Sequence, residues 1–478
     1  MPKYTAPGVY IAETRGLPPV VGSDSAVPLF IGPTERATDA QGHDLTGRVQ
    51  PVSSPAEFAA LFGDPPRHEI RTRADGQGLE VGAPFLLPRA VALFFETGGA
   101  KAYVLSTGPF TRAGKGLRPE AEPLIAALES AEARAEGPDL LVLPDAGRLP
   151  PDQALRVWRA ALAHCAAQGD RIALIDPPEA GGSAELEAFR QALDIPEAAF
   201  GLAYAPWLIS PLPRFDCRDL SAALRRDLSA QILAEPDPGK IHGAAKELGQ
   251  EPLAPYVDPA WIHQVLQQGS ATYRATADAA QSLVAPVPPS GVIAGMIAAA
   301  DARWGMWKAP VRTVPQAVQG LASDPPAASL AAPGASVAIN PLRLDPSQGI
   351  LIDGARMMAP DSGDLRYLPV RRTQLYITRT LRAALRGYAL SSPGTGDDPA
   401  LWQAVKTEVE AFLASLWRDG AFPAASADEA FSVAVGPGLS MTQAVRDAGI
   451  LRLSVGIALV RPASFIPVEV EARRPAAP

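Results

Sequence analysis

The sequence predicts a multidomain protein of the α/β plus α+β class with an extended strand arm at each end. Three observations lead to this prediction. Continuous apolar strands alternate with amphipathic helices between about residues 120 and 210, as in a layer built on a parallel sheet. A second group of strands and helices follows after about residue 335. Alternating apolar residues lie close to both termini, and a period of two is typical of β-strands.

The composition excludes several classes of protein. The 478 residues, 47% of them hydrophobic and 20% charged, suit a folded chain with more than one domain. The net charge of −8 argues against nucleic acid as a partner, because phosphate binding needs a basic surface. The N-terminus lacks a secretory signal pattern, and no apolar run is long enough to insert into a membrane. We therefore expect synthesis in the cytoplasm, where the two cysteines, Cys165 and Cys217, would stay reduced.

Both ends of the chain are predicted to carry strands. Pro7-Gly8 precedes an extended run that contains Val9, Tyr10 and Ile11. At the other end, residues 450–460 alternate, and a second alternating run follows an Arg461-Pro462 corner. The apolar residues of that second run are Phe465, Ile466, Val468 and Val470. Because unpaired strand edges are costly, such ends favour strand exchange between identical subunits, and hence an assembly protein.

The first part of the chain is predicted to be mixed. A short strand over residues 26–32 ends at a glycine, and polar, Pro/Gly-rich sequence follows. We expect helices over residues 55–63 and 86–96 and a strand over residues 102–105. The next stretch, up to Pro119, is predicted to be a loop.

The predicted parallel layer consists of three helix–strand pairs. Its helices span residues 123–136, 152–168 and 184–193, and its strands span residues 140–143, 172–175 and 200–204. Residues 213–286 are predicted to be helical and interrupted by prolines, and a further apolar helix covers residues 292–300. Residues 315–335 are rich in Ala, Pro and Ser and are interpreted as a linker.

The last part of the chain returns to strands and helices. Strands are predicted over residues 337–340, 349–352 and 431–435. A helix covers about residues 373–388, and the next is predicted to begin after an Asp398 cap, with Pro399 in its first position, and to stop at Gly420. Ser440 is predicted to cap a short helix that reaches Asp447.

Two aspartates are the best candidates for chemistry. Asp145 and Asp176 each follow a predicted parallel strand, at the sheet edge where ligands of α/β proteins bind and where paired carboxylates hold Mg²⁺. A metal-dependent hydrolase is therefore the alternative function. Aspartate before Ala-Gly or Pro-Pro also makes turns and caps helices, and this structural interpretation is favoured.

No other pattern indicates a cofactor, metal or catalytic site. No strand is followed by a glycine-rich phosphate loop of the required spacing. The five histidines are scattered along the sequence without metal-ligand spacing. His164-Cys165 lies within a predicted helix, where packing is favoured over a nucleophile pair.

Several stretches together resemble the tail sheath proteins of contractile phages, pyocins and contractile injection systems. Residues 7–13 resemble the family's N-terminal arm, and residues 90–104 resemble its "AV..FF.NGG..AYV" stretch. The most specific match is Pro288-Pro289-Ser290-Gly291 with Gly295, Asp301, Arg303, Gly305 and Trp307-Lys308-Ala309-Pro310. Further matches on the C-terminal side include Gly354-Ala355-Arg356, Val370-Arg371-Arg372, Leu416-Trp417 and Val460-Arg461-Pro462. One departure is the segment of residues 213–286, which has no role assigned by the resemblance.

The resemblance implies a domain organisation. It comprises an N-terminal linker arm (1–22), an outer mixed domain (23–119), an α/β domain with the helical insertion (120–325), a conserved sheath core domain (326–462) and a C-terminal linker arm (463–478). In this arrangement the small parallel layer is inserted in the C-terminal α+β core. Val9, Tyr10, Ile11, Phe465, Ile466, Val468 and Val470 are implied to add strands to neighbouring subunits.

The resemblance also implies a mechanical, non-enzymatic function without cofactors. Sheath subunits polymerise as helical rings, implied to be hexameric, around an inner tube, and contraction drives that tube through a target envelope. The implied partners are further copies of the chain, the tube protein, and baseplate and terminal cap proteins. Lys406, Glu410 and Arg418 are implied to face the tube, although an ordinary solvated helix face is an equal alternative. The sequence leaves open the type of particle, its release from the cell and the presence of sheath paralogues.

Overall fold

The computed structural model describes residues 17–473 except for 66–68, 74, 83–84, 111, 114–115, 180–181, 212–215, 237, 252, 311–316, 324–334, 360–362 and 392–398. The predicted strand residues Val9, Tyr10 and Ile11, the Asp398 cap and most of the predicted linker lie outside the described residues. The chain divides into two compact units, one of residues 1–23 with 373–478 and one of residues 24–372.

The strands of the larger unit form one large sheet and several small ones. They are β1 (Pro28–Thr34), β2 (Val49–Val52), β3 (Glu69–Thr72), β4 (Leu79–Gly82), β5 (Ala102–Pro109), β6 (Arg112–Ala113), β7 (Gly116–Leu117), β8 (Leu140–Val142), β9 (Ile172–Ile175), β10 (Gly201–Ala205), β11 (Leu208–Pro211), β12 (Val284–Val287), β13 (Gly320–Leu321), β14 (Asn340–Asp345) and β15 (Gly349–Ile352). The smaller unit contains β16 (Phe431–Val435), β17 (Ile450–Ile457) and β18 (Ile466–Arg473).

The α-helices are numbered in chain order. They are α1 (Pro55–Phe62), α2 (Leu87–Glu96), α3 (Ala121–Glu129), α4 (Pro151–Gln168), α5 (Ser183–Ala192), α6 (Ala222–Leu233), α7 (Gly239–Leu248), α8 (Pro259–Gly269), α9 (Ala271–Gln281), α10 (Ser290–Trp304), α11 (Leu368–Ser391), α12 (Pro399–Arg418), α13 (Ala427–Ala430) and α14 (Gln443–Asp447). The boundary between the two units falls within α11. Among the described helices, none combines the length and the apolar character needed to cross a membrane.

The large sheet confirms the α/β character predicted from the sequence. Its strand order is β15-β14-β10-β9-β8-β1-β5-β2, and the pairs from β14 to β5 are parallel. Helices α3, α4 and α5 cover one face, and α2 and α10 lie against the other. Because both faces are covered, strands such as β1, β8 and β9 are buried at every position, which explains their continuous apolar runs. The sheet is larger than the three-stranded layer predicted, since β1, β2 and β5 from the first segment and β14 and β15 from a later one join it.

Residues 216–283 form a helical module with its own apolar core. Its helices α6, α8 and α9 begin at Ser221, Asp258 and Ser270, whose side chains accept a backbone N–H each. Ile232, Leu248 and Leu266 are fully buried in its core, which also contains Ile70 of the β3–β4 hairpin. The module is joined to the rest of the unit at a β11–β12 ladder whose last paired residues are Pro211 and Val284.

The smaller unit contains a three-stranded antiparallel sheet in the order β16-β17-β18. Burial alternates along β17 and β18, as the period of two predicted. The helix predicted after Pro399 is confirmed as α12, with Val405, Val409 and Leu413 among its buried residues.

Some local predictions are wrong. The stretch up to Pro119, predicted to be a loop, contains the end of β5 and the short strands β6 and β7. The strand predicted over residues 337–340 is β14, which begins only at Asn340. The Asn340 side chain donates to the carbonyl oxygens of Ala203 and Arg356 and thus fixes where the ladder starts. The short helix near residue 441 begins at Gln443 and is capped by Thr442. Ser440 does not cap it, because its hydroxyl donates instead to the Arg452 carbonyl oxygen at 2.7 Å.

Candidate functional site

The motif residues 90–99 and 288–310 meet where α2 and α10 pack together. A Cβ atom on Gly291 would lie 2.5 Å from the Ala90 carbonyl oxygen, and one on Gly295 would lie 2.0 Å from the Thr97 hydroxyl oxygen. Gly98 has a φ of +116° and lies against Ala299. The small residues at 291, 295 and 299 therefore allow the two helix backbones to approach directly. The two motifs form a packing interface within the larger unit.

Asp145 and Asp176 hold the N-terminal ends of these two helices. The Asp145 carboxylate accepts the Leu86 N–H at 2.6 Å and the Leu87 N–H at 3.3 Å, at the start of α2. The Asp176 carboxylate accepts the Ser290 N–H at 3.0 Å and the Ser290 hydroxyl at 2.7 Å, at the start of α10. Helix N-termini present unpaired N–H groups, which carboxylates satisfy well. The structure thus shows both aspartates as helix caps, which is the interpretation that the sequence favoured.

Both aspartates are buried, and this changes their titration. Burial raises the pKa of Asp145 and of Asp176 to about 7, although the hydrogen bonds from the capped groups oppose the rise. The described residues contain no group of three or more His, Cys, Asp or Glu side chains placed to hold a metal ion. The two carboxylates bind backbone N–H groups and the Ser290 hydroxyl at the starts of two helices, and among the described residues they belong to no such group.

The His164-Cys165 pair of α4 is also structural. The His164 ring nitrogen Nδ1 lies 3.0 Å from the Leu128 carbonyl oxygen, and Cys165 is fully buried in the core under the sheet. Burial raises the pKa of the Cys165 thiol, which disfavours the thiolate needed of a nucleophile.

A buried ion cluster joins three distant parts of the larger unit. Arg372, in the first turns of α11, donates to both carboxylate oxygens of Asp301 in α10 at 2.7 Å. The same guanidinium lies 3.4 Å from the Asp139 carboxylate, which also accepts the backbone N–H groups of Ala26 and Val27 at 3.0 and 2.7 Å. All three charged side chains are less than one-tenth exposed.

This cluster was not recognised in the sequence. Asp301 and Arg372 belong to motifs quoted above, but no spacing along the chain links them to each other or to Asp139. Burial lowers the pKa of Arg372, yet the charges of Asp301 and Asp139 outweigh it, so the pKa is raised overall and the cation is retained. The only signal in the sequence is the residue types, because aspartate and arginine are rarely buried unless they are paired.

The candidate C-terminal arm residues lie in or next to β18. Val468 and Val470 are buried on one face of the sheet, and Ile466 is half-buried at the start of the strand. Phe465 is 42% exposed. All of β18 pairs with β17 of the same chain, from Ile457–Ile466 to Ile450–Arg473.

The candidate tube-facing residues lie on the outer side of α12. Lys406 and Glu410 form an i, i+4 ion pair at 3.7 Å, with each side chain about two-fifths exposed. Arg418 is exposed in the last turn and donates to the Ala414 carbonyl oxygen. The three residues therefore face away from the apolar stripe of their helix, which is what both a docking face and an ordinary solvated face require.

Comparisons with known proteins identify the fold. No protein-family model and no curated protein sequence matches the chain. Among solved structures, it is similar to the contracted helical sheath of the anti-feeding prophage, with 23% identity and a TM-score of 0.58, over 97% of this chain and 98% of that one.

Two further solved structures give the same result. The contracted PVC sheath complex of an extracellular contractile injection system matches with 22% identity and a TM-score of 0.60, over 98% of this chain and 97% of that one. A chain of the six-fold symmetrised anti-feeding prophage baseplate matches with 24% identity and a TM-score of 0.58, over 97% and 98%. The resemblance to sheath proteins predicted from the sequence is thus confirmed at the level of the fold, over nearly the whole chain.

Proposed function

We propose that the chain is a structural subunit of a contractile sheath, which polymerises around an inner tube and contracts to drive that tube through a target envelope. The observation that carries this proposal is the full-length similarity to sheath chains, in which both ends and the middle of the molecule take part. A protein that merely shared one domain with a sheath would match over only part of its length.

A non-enzymatic role follows from the same proposal. The two carboxylates that the hydrolase alternative needs are engaged with Leu86, Leu87 and Ser290. A buried carboxylate whose oxygens already accept hydrogen bonds from a helix terminus is shielded from water, which supports a structural role over hydrolysis. The subunit instead supplies rigid, densely packed parts that can move as bodies.

Strand addition is the proposed contact between copies. In the described part of the smaller unit, β16 and β18 are the outer strands of their sheet. An outer strand presents free N–H and C=O groups, which a strand from another copy can pair with. We propose that residues around Val9, Tyr10 and Ile11 supply such a strand, and that the segment from Phe465 to Val470 takes part in the same mesh. Pro467 in β18 suits a strand that bonds fully on one side only.

The exposed face of α12 is the proposed contact with the tube. Lys406, Glu410 and Arg418 offer both signs of charge on a solvated surface. Exposed ion pairs contribute only about 0–1 kcal/mol each, so a contact made of them can be released during contraction. Apart from itself and the tube, the proposed partners are baseplate and terminal cap proteins, and the assembled particle would be released from the cell that makes it.

Electron microscopy of the purified protein tests the proposal. A sheath subunit forms hollow tubes or rings, whereas an α/β hydrolase stays a compact particle. Deleting residues 1–13 is expected to leave folded monomers that cannot polymerise, whereas deleting residues 463–478 also removes β18 and is expected to destabilise the smaller unit itself. Asp145→Asn is expected to leave assembly intact. Loss of an enzymatic activity on the same substitution, with no polymer from the unmodified chain, would support the hydrolase instead.

A further inference from the structure

The segment that leads from the N-terminal residues into the fold lies on α11 of its own chain. The Tyr388 hydroxyl donates to the Pro18 carbonyl oxygen at 2.8 Å. Five residues later, the Ser23 N–H donates to the Thr380 hydroxyl oxygen at 3.1 Å, and the two hydroxyl oxygens lie 3.2 Å apart. Tyr388 and Thr380 are both almost fully buried, so these partners belong to the packed part of the helix.

The two anchors fix the direction of the segment. Thr380 and Tyr388 are eight positions apart, which is about 12 Å along a helix axis. Pro18 and Ser23 are five residues apart and can span at most about 17 Å when extended. The chain therefore runs along the helix from Tyr388 towards Thr380, antiparallel to α11, with little slack between the two hydrogen bonds.

A third contact lies beside the Ser23 anchor, about one helical turn beyond Thr380. A Cβ atom on Gly22 would lie 2.2 Å from the Tyr376 hydroxyl oxygen, so the backbone at this point is too close to the ring for a side chain. Close approach of a glycine backbone to a side chain indicates a segment that is seated, not merely adjacent. Residues 17–23 therefore make three contacts with α11, two of them with buried hydroxyl groups, which indicates that the segment is packed on the helix.

We propose that residues 17–23 are the fixed root of the N-terminal arm and stay bound to α11 of their own subunit in the polymer. This inference rests on the proposed sheath function. It limits the part of the arm that a second copy receives to residues 1–16. Sixteen extended residues reach about 50 Å, so a fixed root still leaves enough chain to meet a neighbour.

A disulfide staple tests the inference. The variant Ser23→Cys with Thr380→Cys places two thiols where the hydroxyl oxygens lie 3.2 Å apart, which is close enough for a disulfide after small adjustment. The native Cys165 and Cys217 are fully buried and do not compete for oxidation. The oxidised and the reduced forms of the same variant are compared, so that any effect of the substitutions themselves cancels.

The staple is expected to form in the soluble protein, as measured by loss of two free thiols, and the oxidised protein is expected to polymerise in undiminished yield by sedimentation and electron microscopy. Failure of the disulfide to form would show that the root is not seated on α11. Polymer from the reduced form but not from the oxidised form would show that the root leaves α11 for a neighbour. If even the unmodified chain forms no polymer, the sheath proposal fails, while disulfide formation still decides whether the root is bound.

Gly22→Val provides a second measurement that does not depend on cysteine chemistry. Its side chain would collide with Tyr376 and lift the root, whereas Gly243→Val in α7 introduces the same side chain where no atom lies within 4 Å. We expect Gly22→Val to reduce polymer yield and to make the root accessible to protease, and Gly243→Val to do neither. Equal polymer yields and equal protease patterns for the two variants would overturn the inference.

Discussion

Replacing Arg372 with methionine removes the only cation of the cluster that it forms with Asp301 and Asp139. The two pairs, at 2.7 and 3.4 Å, each contribute roughly 5–6 kcal/mol of gross attraction at an effective dielectric constant of about 20. Desolvation of the three buried ions cancels most of this, so the intact cluster adds little net stability. Removing the cation alone is different, because it leaves two carboxylates buried together. Such losses amount to about 3–5 kcal/mol, and we expect Arg372→Met to cost that much.

Urea unfolding of the unpolymerised protein measures this loss, with fluorescence and circular dichroism followed in parallel. Arg418→Met is the matched control, because the same change at an exposed position is expected to cost less than about 0.5 kcal/mol. Adding Asp301→Asn to Arg372→Met removes one of the two stranded charges, so the double variant is expected to be more stable than the sum of the single losses predicts. A loss below about 1 kcal/mol for Arg372→Met, or strict additivity in the double variant, would refute the reasoning.

Three further predictions concern titration, packing and the helical module. The raised pKa of Asp176, about 7 against an ordinary 3.8, means that the native state binds more protons between these values, so stability falls as pH rises from about 4 to about 7. Asp176→Asn should flatten that decline by up to about 1.4 kcal/mol per pH unit, and an unchanged pH profile of unfolding would contradict this. Gly295→Val should cost at least about 1–3 kcal/mol in thermal or urea unfolding, because its side chain meets Thr97 and the Phe94 carbonyl oxygen, while Gly243→Val serves as control. Replacing residues 212–283 with Asn-Gly should leave a folded protein that still polymerises, since Pro211 and Val284 are paired neighbours that a two-residue turn can join. The same variant is designed with a shortened β3–β4 hairpin, because removal of the module would expose Ile70 of that hairpin to solvent. Aggregation of this variant would contradict the prediction and indicate that the module stabilises the rest of the unit.

The hydrophobic periodicity of the sequence predicted best those helices and strands that have one buried face and one solvent-exposed face. Residues 450–457 alternate in sequence and alternate in burial, and α12 has the apolar stripe and the start at Pro399 that its spacing predicts. Both are short-range properties, fixed by the period of the backbone. Prediction was weaker at Asn340 and Thr442, where a single side-chain hydrogen bond decides where the element begins.

Long-range pairing could not be predicted from the sequence. Asp139 and Arg372 meet across 233 positions, and nothing near either residue indicates the partner. The same holds for the strand order, because β1 is equally apolar whether it flanks β8 or forms part of a separate domain. The resemblance supplied the correct overall fold because the order of several motifs carries information that no single motif contains. It gave no account of why Gly291 and Gly295 are glycines, which became clear only from the backbone of α2.

The contact between α2 and α10 has a mechanical consequence. Helices that touch through side chains can slide by repacking rotamers, which is how shear motions proceed in many proteins. The Ala90 and Phe94 carbonyl oxygens lie directly against Gly291 and Gly295, so no side chain separates the two backbones at these positions. We expect such direct backbone contact to resist sliding of one helix past the other. If the chain forms the proposed sheath, we expect the deformation on contraction to lie outside this pair of helices.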